Sequence, residues 1–221
     1  MTFQSNCSAI VYDAAMDFSH NSNPNGVWSY GYSDTLGSAF VFDDENLQES
    51  HGLYVWRSAA LDPNGPNFAF NPTANPITIS GPTDLMIWNP YQLSMSEGSG
   101  GQYSVLRFTP PESGAYQVQG AFSSVDKYYG AKTDVHLLLN GTSFFDSIVY
   151  GIDSVMSFNQ TLQLNAGDTV DFAVGLGDYG WGWDTTGLRA TITTVPEPTV
   201  FGLLTAGLLL VYRRCSKRPA S

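Results

Sequence analysis

The sequence predicts an all-β fold, a jelly-roll-like β-sandwich with a short C-terminal transmembrane helix. Three observations predict it. Apolar residues alternate with polar ones over short runs, turn residues part those runs roughly every 8–12 positions, and no helical period appears outside the C-terminal segment. Composition agrees. Of 221 residues, 43% are hydrophobic and 14% aromatic but only 13% charged, with 22 Gly and 12 Pro. A chain of this length suits one domain with an appendage. Its apolar content excludes intrinsic disorder, and its Gly and Pro content without a period excludes collagen, coiled coils and long helical bundles.

The elements follow in chain order. Asp13–Pro90 is punctuated by Asn23-Pro24-Asn25-Gly26, Asp62-Pro63-Asn64-Gly65, Asn71-Pro72, Asn75-Pro76 and Asn89-Pro90, all turn chemistry. Between these turns, strands are expected at Ser38–Phe42, Leu53–Trp56, Ile77–Ile79 and Leu85–Trp88. No linker separates this half from the next, so residues 10–195 read as one sandwich; a second small β-domain is the alternative. Tyr103–Phe108 is a strand that ends at Pro110-Pro111-Glu112-Ser113-Gly114, and Ala115–Phe122 is the next. Asp134–Leu139 and Thr142–Phe145 flank Asn140-Gly141, a pair suited to the positive φ angles of a type I′ hairpin. Leu162–Leu164, the turn Asn165-Ala166-Gly167-Asp168, Thr169–Val174 and Leu188–Thr193 complete the set.

Over Arg107–Asp171 the wording Phe-Thr-Pro-Pro-Glu-Ser-Gly-Ala-Tyr, Val-His-Leu-Leu-Leu-Asn-Gly and Leu-Asn-Ala-Gly-Asp-Thr-Val resembles jelly-roll domains of the C1q and carbohydrate-binding-module type. That resemblance implies fold and no site residues.

Charge is divided along the chain. Twenty acidic residues face nine basic ones, yet Arg213, Arg214, Lys217 and Arg218 all lie at the C-terminus; the chain before Pro196 has a net charge of −14. Such a body excludes nucleic acid as a partner. Thr199–Tyr212 is uncharged and apolar. As a helix it would be ~21 Å long, short of the ~30 Å hydrocarbon core unless its flanks snorkel or the bilayer thins. The basic cluster behind it is a stop-transfer pattern that places the acidic body outside the cytoplasm. Pro196, Glu197 and Pro198 form an extended, non-helical strip ahead of it. In that order, Pro-Glu-Pro, apolar run and Arg213-Arg214 resemble the PEP-CTERM sorting signal of Gram-negative bacteria, over residues 196–221. The resemblance implies export, transient anchoring in the inner membrane, processing by an exosortase, and release to the cell surface or extracellular polysaccharide. Export requires a leader, and Met1–Ala15 has no basic residue and no long apolar stretch. Cys7-Ser8-Ala9 is similar to the small-residue end of a signal peptide. Residues 1–9 are therefore expected to be its remnant, with the start of the signal upstream. Cys7 and Cys215 would both leave with the processed ends, so the body has neither a disulfide nor a zinc set.

Chemistry concentrates in Gly175–Gly187, where Tyr179, Trp181 and Trp183 alternate with Gly between Asp178 and Asp184. Indole faces stack on sugar rings while carboxylates accept hydrogen bonds from hydroxyls, so these five residues are the candidate ligand contacts for a neutral polysaccharide. The alternative is that the Trp residues cap the core and the glycines serve tight turns. Val27–Tyr32 is a second aromatic cluster with the same two readings. No cofactor is required; calcium is the one that Asp178 and Asp184, or Asp43-Asp44-Glu45, have the oxygens to hold. No Gly-x-Ser-x-Gly elbow and no histidine cluster is present, so the chain reads as a non-enzyme. Asp134 and His136 share a strand face without an identified nucleophile. The expected function is an exported surface or matrix protein binding neutral polysaccharide. The alternatives are a structural coat protein or a polysaccharide hydrolase or lyase.

Overall fold

The computed structural model describes residues 8–61, 63–177, 180, 182 and 184–196. Its strands are β1 (Val11–Asp13), β2 (Trp28–Ser33), β3 (Val41–Phe42), β4 (Glu45–Gln48), β5 (Tyr54–Arg57), β6 (Asn67–Phe70), β7 (Ile77–Gly81) and β8 (Asp84–Trp88). They continue with β9 (Leu93–Ser96), β10 (Tyr103–Phe108), β11 (Gly114–Ser124), β12 (Ala131–Leu139), β13 (Thr142–Gly151), β14 (Val155–Leu164), β15 (Val170–Gly175) and β16 (Thr186–Val195). One 3-10 turn, Ala59–Leu61, interrupts them.

Two antiparallel sheets face each other. One runs β14-β11-β16-β9-β6-β5-β4, and the other runs β13-β12-β15-β10-β2-β3. Short β1 and short β9 share one side of the long strand β16: β9 pairs at Thr186–Leu188 and β1 at Thr191–Thr193. Strands from both halves of the chain thus lie in both sheets.

Period two decides what lies between the sheets. In β11, Tyr116, Val118 and Phe122 are buried, and in β16 Leu188, Ala190 and Ile192 are. Aromatic contacts bridge the layers: Phe108 meets Tyr116 at 6.0 Å, Phe158 meets Phe172 at 5.8 Å, and Tyr30 meets Phe68 edge-on at 5.4 Å. Trp28 is 1% exposed, so the N-terminal aromatic cluster belongs to the core. Outward-facing Val55 and Ala69 of the sheet and Trp88 of the β7–β8 hairpin make a second, smaller core where the hairpin lies over the outer face of β5 and β6.

Most strands expected in the C-terminal half are present, and Asn140 and Gly141 turn the β12–β13 hairpin with φ of 50° and 80°. Several strands are longer than expected: β13 runs to Gly151 and β14 starts at Val155, and the added lengths expose Ile148, Tyr150 and Val155 alongside polar residues. The strand expected over Ser38–Phe42 is corrected to Val41–Phe42. Phe40 leaves the ladder so that its ring covers Gly31 and lies 4.3 Å from the Arg107 guanidinium. Arg107 in turn holds Asp171 with two hydrogen bonds of 2.7 and 2.8 Å. Strands β1, β2, β4, β6 and β9 were not expected at all. The expected C-terminal helix Thr199–Tyr212, with Arg213 and Arg214, lies outside the described residues. Among the described residues, no helix is long and apolar enough to cross a membrane.

Candidate functional site

The β7–β8 hairpin covers its part of the sheet incompletely, and the gap is a cleft. Two compartments of about 270 and 370 Å³ share Pro63, Gly65, Asn67, Met86, Ser96 and Thr185, so they form one space. Leu53, Val55, Ile79 and Trp88 supply its apolar wall at one end. Glu97, Asp184 and Asn64 supply polar groups at the other. An apolar trough with a few convergent polar groups is the usual form of a small-molecule site. Trp88 is pinned there, its Nε1–H donating to Ser94 Oγ at 2.8 Å.

The polar end carries unusual electrostatics. Glu97 and Asp184 are 3% and 5% exposed, both line this end of the cleft, and each perturbs the other's titration. Burial pushes Glu97 up to about 8, and the charge and hydrogen bond of Asp184 act in the same direction. Burial also raises Asp184, to about 6. The two carboxyls titrate as a pair, and burial holds that pair above the ordinary carboxylate range.

This pair makes stability fall as pH rises. Between ~4 and about 8 the folded chain keeps protons on Glu97 and Asp184 that the unfolded chain has released. Unfolding then releases protons, so raising the pH favours it. Glu97→Gln keeps a polar side chain without a titrating group. Its melting temperature is expected to fall less than that of the unchanged protein between pH 5.5 and 8.5. Equal slopes in the two proteins would remove Glu97 from this account.

Gly177, ahead of the Trp-bearing segment, is held by Asp134. Asp134 accepts the Gly177 N–H at 2.7 Å, the Tyr103 hydroxyl at 2.8 Å and His136 Nε2–H at 2.9 Å. His136 Nδ1 faces Asp146, which also accepts from Ser143. The expected encounter of Asp134 and His136 thus occurs, as a structural network that fixes Gly177. Burial alone would lower the His136 pKa, but its two carboxylate partners raise it. Burial alone would raise Asp134, yet the donors surrounding it leave its pKa lowered. A Cβ on Gly175 would lie 2.3 Å from the Tyr103 ring, so the strand before the loop requires glycine.

Of the five candidate contact residues, Asp184 is placed: it is buried, and it lines the cleft rather than standing free in a loop. Asp178, Tyr179, Trp181 and Trp183 lie outside the described residues, as do Glu197 and Pro198; Pro196 is described and exposed. The Asp43-Asp44-Glu45 group is divided among separate tasks. Asp44 accepts the Ala59 N–H, Glu45 pairs with Arg57 at 2.7 Å, and Asp43 is buried. Among the described residues, no group of three His, Cys, Asp or Glu is placed to hold a metal ion.

Sequence reasoning missed Glu97 and the pair Tyr128–Tyr129. Asp126 Oδ1 accepts the N–H groups of Tyr128, Tyr129 and Gly130 at 2.7, 2.8 and 3.0 Å, which holds that loop. The two tyrosines are 47% and 48% exposed. Tyr129 and Lys132 line a cavity of about 230 Å³ on another side of Asp184. Tyr-Tyr-Gly has the same aromatic-glycine wording as the Trp loop, and that was the available signal.

Fold and cleft together define a two-sheet β-sandwich with a lateral ligand-sized cleft. No family model and no curated protein sequence matches the chain. Among solved structures it is similar to a family 51 carbohydrate-binding module from Clostridium perfringens in complex with methyl-galactose. That match has 16% identity, 54% of this chain and 81% of that one covered, and a TM-score of 0.34. The C-terminal CBM6 of a marine laminarinase from Zobellia galactanivorans aligns at 12% identity over 76% of this chain and 99% of its own, with a TM-score of 0.30. Rabbit GITRL aligns at 17% identity over 43% and 74%, with a TM-score of 0.29. At scores of this size the likeness transfers neither topology nor function to this chain.

Proposed function

We propose that the chain is an exported, transiently membrane-anchored surface or matrix protein whose sandwich binds neutral polysaccharide through the hairpin cleft and the Trp-bearing segment that precedes Asp184. The observation that carries the binding half is the position of the cleft. Its mixed apolar and polar wall includes Asp184 and Thr185, at the end of the loop that bears Trp181 and Trp183. A neutral, hydroxyl-rich ligand suits such a wall and does not meet repulsion from an acidic body. The sorting half rests on Pro196-Glu197-Pro198, the apolar run Thr199–Tyr212 and Arg213-Arg214, whose order resembles an exosortase substrate. Strand β16 ends at Val195, directly before this strip.

Titration with a panel of neutral bacterial and algal polysaccharides, followed by tryptophan fluorescence with and without calcium, tests the binding half. A saturable shift is expected, and Trp181→Ala and Trp183→Ala should abolish it while leaving the fold intact. A flat response across the panel overturns the reading. If Trp181→Ala instead costs ~3–5 kcal/mol of stability, the residue is core. For the sorting half, mass spectrometry of protein recovered from cells with an exosortase should show loss of the residues beyond the Pro-Glu-Pro motif. Unprocessed chain, or identical processing of Glu197→Ala, overturns it.

A further inference from the structure

The hairpin covers only part of the outer face of the larger sheet; among the described residues, no other element covers the face of β16, β11 and β14. Register places Arg189, Ala121 and Ser157 in one row across it, Thr191, Gln119 and Asn159 in the next, and Thr193, Gln117 and Thr161 in a third. Arg189 carries the only charge in these rows, on a body that is otherwise strongly acidic. The rest present hydroxyls, amides and a methyl group. Gln117 Nε2–H donates to Asn159 Oδ1 at 3.2 Å, so neighbouring rows are linked.

At one end this face deepens into a cleft of about 380 Å³, lined by Met16, Tyr91, Gln92, Ser123, Val155 and Arg189 among others. Tyr91 is 44% exposed and has a φ of 55°. A bulky residue rarely adopts that region, and it persists only where its surroundings enforce it. They do so here. Asn71 is fully buried, and its Nδ2–H group donates to the carbonyls of Asn75, Asn89 and Trp88 at 2.8, 3.0 and 3.3 Å. Asn89 N–H in turn donates to Gln92 Oε1 at 2.7 Å. An aromatic ring is thereby presented to solvent on a fixed turn, which lowers the entropy a ligand must remove on binding.

Arg189 is the second unusual feature. Arg57, Arg107 and Lys127 are each paired with a carboxylate. Arg189 is exposed and has no carboxylate partner among the described residues. Asp13 borders the same cleft, but its Oδ1 already accepts the N–H groups of Ala15 and Met16 at 3.0 Å. The guanidinium hydrogens are therefore available to a guest, in a fork geometry that suits paired oxygens.

We infer that this face is a second glycan-binding surface, on which an extended neutral polysaccharide chain lies along β16, β11 and β14 with a sugar ring on Tyr91 and sugar oxygens on Arg189. The inference rests on the polysaccharide reading above and extends it. The long strand β11 gives the track a length of about 30 Å. That suits a chain rather than a single sugar. An anionic polymer is disfavoured by the field of the acidic body, which one arginine does not reverse. Two sites on one chain bind a polymer more tightly than a fragment through effective concentration.

The test compares a disaccharide fragment with the intact polymer for the neutral polysaccharide that scores in the fluorescence panel, using the full chain. Tyr91→Asn preserves the positive φ, which asparagine tolerates; Arg189→Gln removes the charge alone. Both are expected to weaken polymer binding by on the order of tenfold and to leave disaccharide affinity at the hairpin cleft unchanged. If polymer and disaccharide bind the variants as they bind the unaltered protein, the face is a solvated surface and the inference falls while the cleft reading stands. If no panel member binds, both fall. Sedimentation at each protein concentration separates a third outcome. If the variants lose polymer binding only because a dimer dissociates, the face is an interface between copies and the inference is overturned.

Discussion

Gly120→Ala is expected to destabilise the sandwich by about 3 kcal/mol, the upper part of the range for overpacking. Gly120 sits mid-strand in β11, opposite Phe158 of β14 and Ala190 of β16. A Cβ there would lie 1.9 Å from the Arg189 carbonyl oxygen and 2.9 Å from the Ala190 Cα, both backbone, and 2.7 Å from the Phe158 ring. The ring can rotate, but the backbone can move only if β11 and β16 part. Both strands are interior to the larger sheet, flanked by β14 and β9, so the strain spreads along the ladder instead of relaxing at a free edge. For a chain of this size the loss corresponds to a fall of roughly 6–12 °C in melting temperature. Thermal denaturation monitored by circular dichroism measures it directly. A fall of less than a degree would mean that the two strands are not held at this separation.

Asp134→Ala is expected to cost about 2–4 kcal/mol and to free Gly177, the residue held ahead of the Trp-bearing segment. Three donors lose their acceptor at once: the Tyr103 hydroxyl, His136 and the Gly177 N–H. Each buried donor left unmatched costs about 1–3 kcal/mol, reduced here because Asp134 and its neighbours are partly open to solvent. The cost depends on pH in a defined direction. His136 has a raised pKa, so its pairing contributes fully below its ordinary value near 6.5 and is lost as pH rises through the folded value. Asp134 has a lowered pKa, so its contribution exists above the ordinary carboxylate range and is lost as acid protonates it. The penalty of the substitution is therefore greatest at about pH 5–6.5 and smaller at pH 9. Chemical denaturation at those two pH values reads the difference, and amide exchange at Gly177 reads its release. A penalty that grew toward pH 9 would show that His136 is not charged in the folded state.

The C-terminal half of the fold was legible because its signals are local. Tyr103–Phe108 reads as a strand from alternation and is one. Asn140-Gly141 reads as a hairpin because few other residues accept two consecutive positive φ angles, and they turn one. Asp134 and His136 could be put on one face from their spacing. The N-terminal half was less legible. Trp28–Ser33 is buried on both faces, so it lacks alternation and was read only as an aromatic cluster. Asn67–Phe70 and Leu93–Ser96 are four-residue strands whose outward Ala69 and Ser94 are covered by the hairpin, so their polar face is missing from the sequence.

The same distinction separates what the chain determines by itself from what only the tertiary structure decides. Alternation and turn chemistry specify that there are strands, where many of them end, and which residues of a strand share a face. They also mark the Trp-bearing loop and the Pro-Glu-Pro tail as segments with chemistry of their own. Which strand lies beside which is non-local, and the candidate sites depend on it. Glu97 directly follows β9 and Asp184 precedes β16, and they come together because β9 pairs with the first residues of β16. Their raised pKa values are a consequence of burial, which no neighbouring residue in the chain predicts. The cleft exists because the β7–β8 hairpin folds over a sheet built from other segments, and among the described residues the face of β11 and β14 is left open because the hairpin lies over β5 and β6. Local sequence sets the conformational preferences of each segment, whereas removal from water depends on what the rest of the chain places against it.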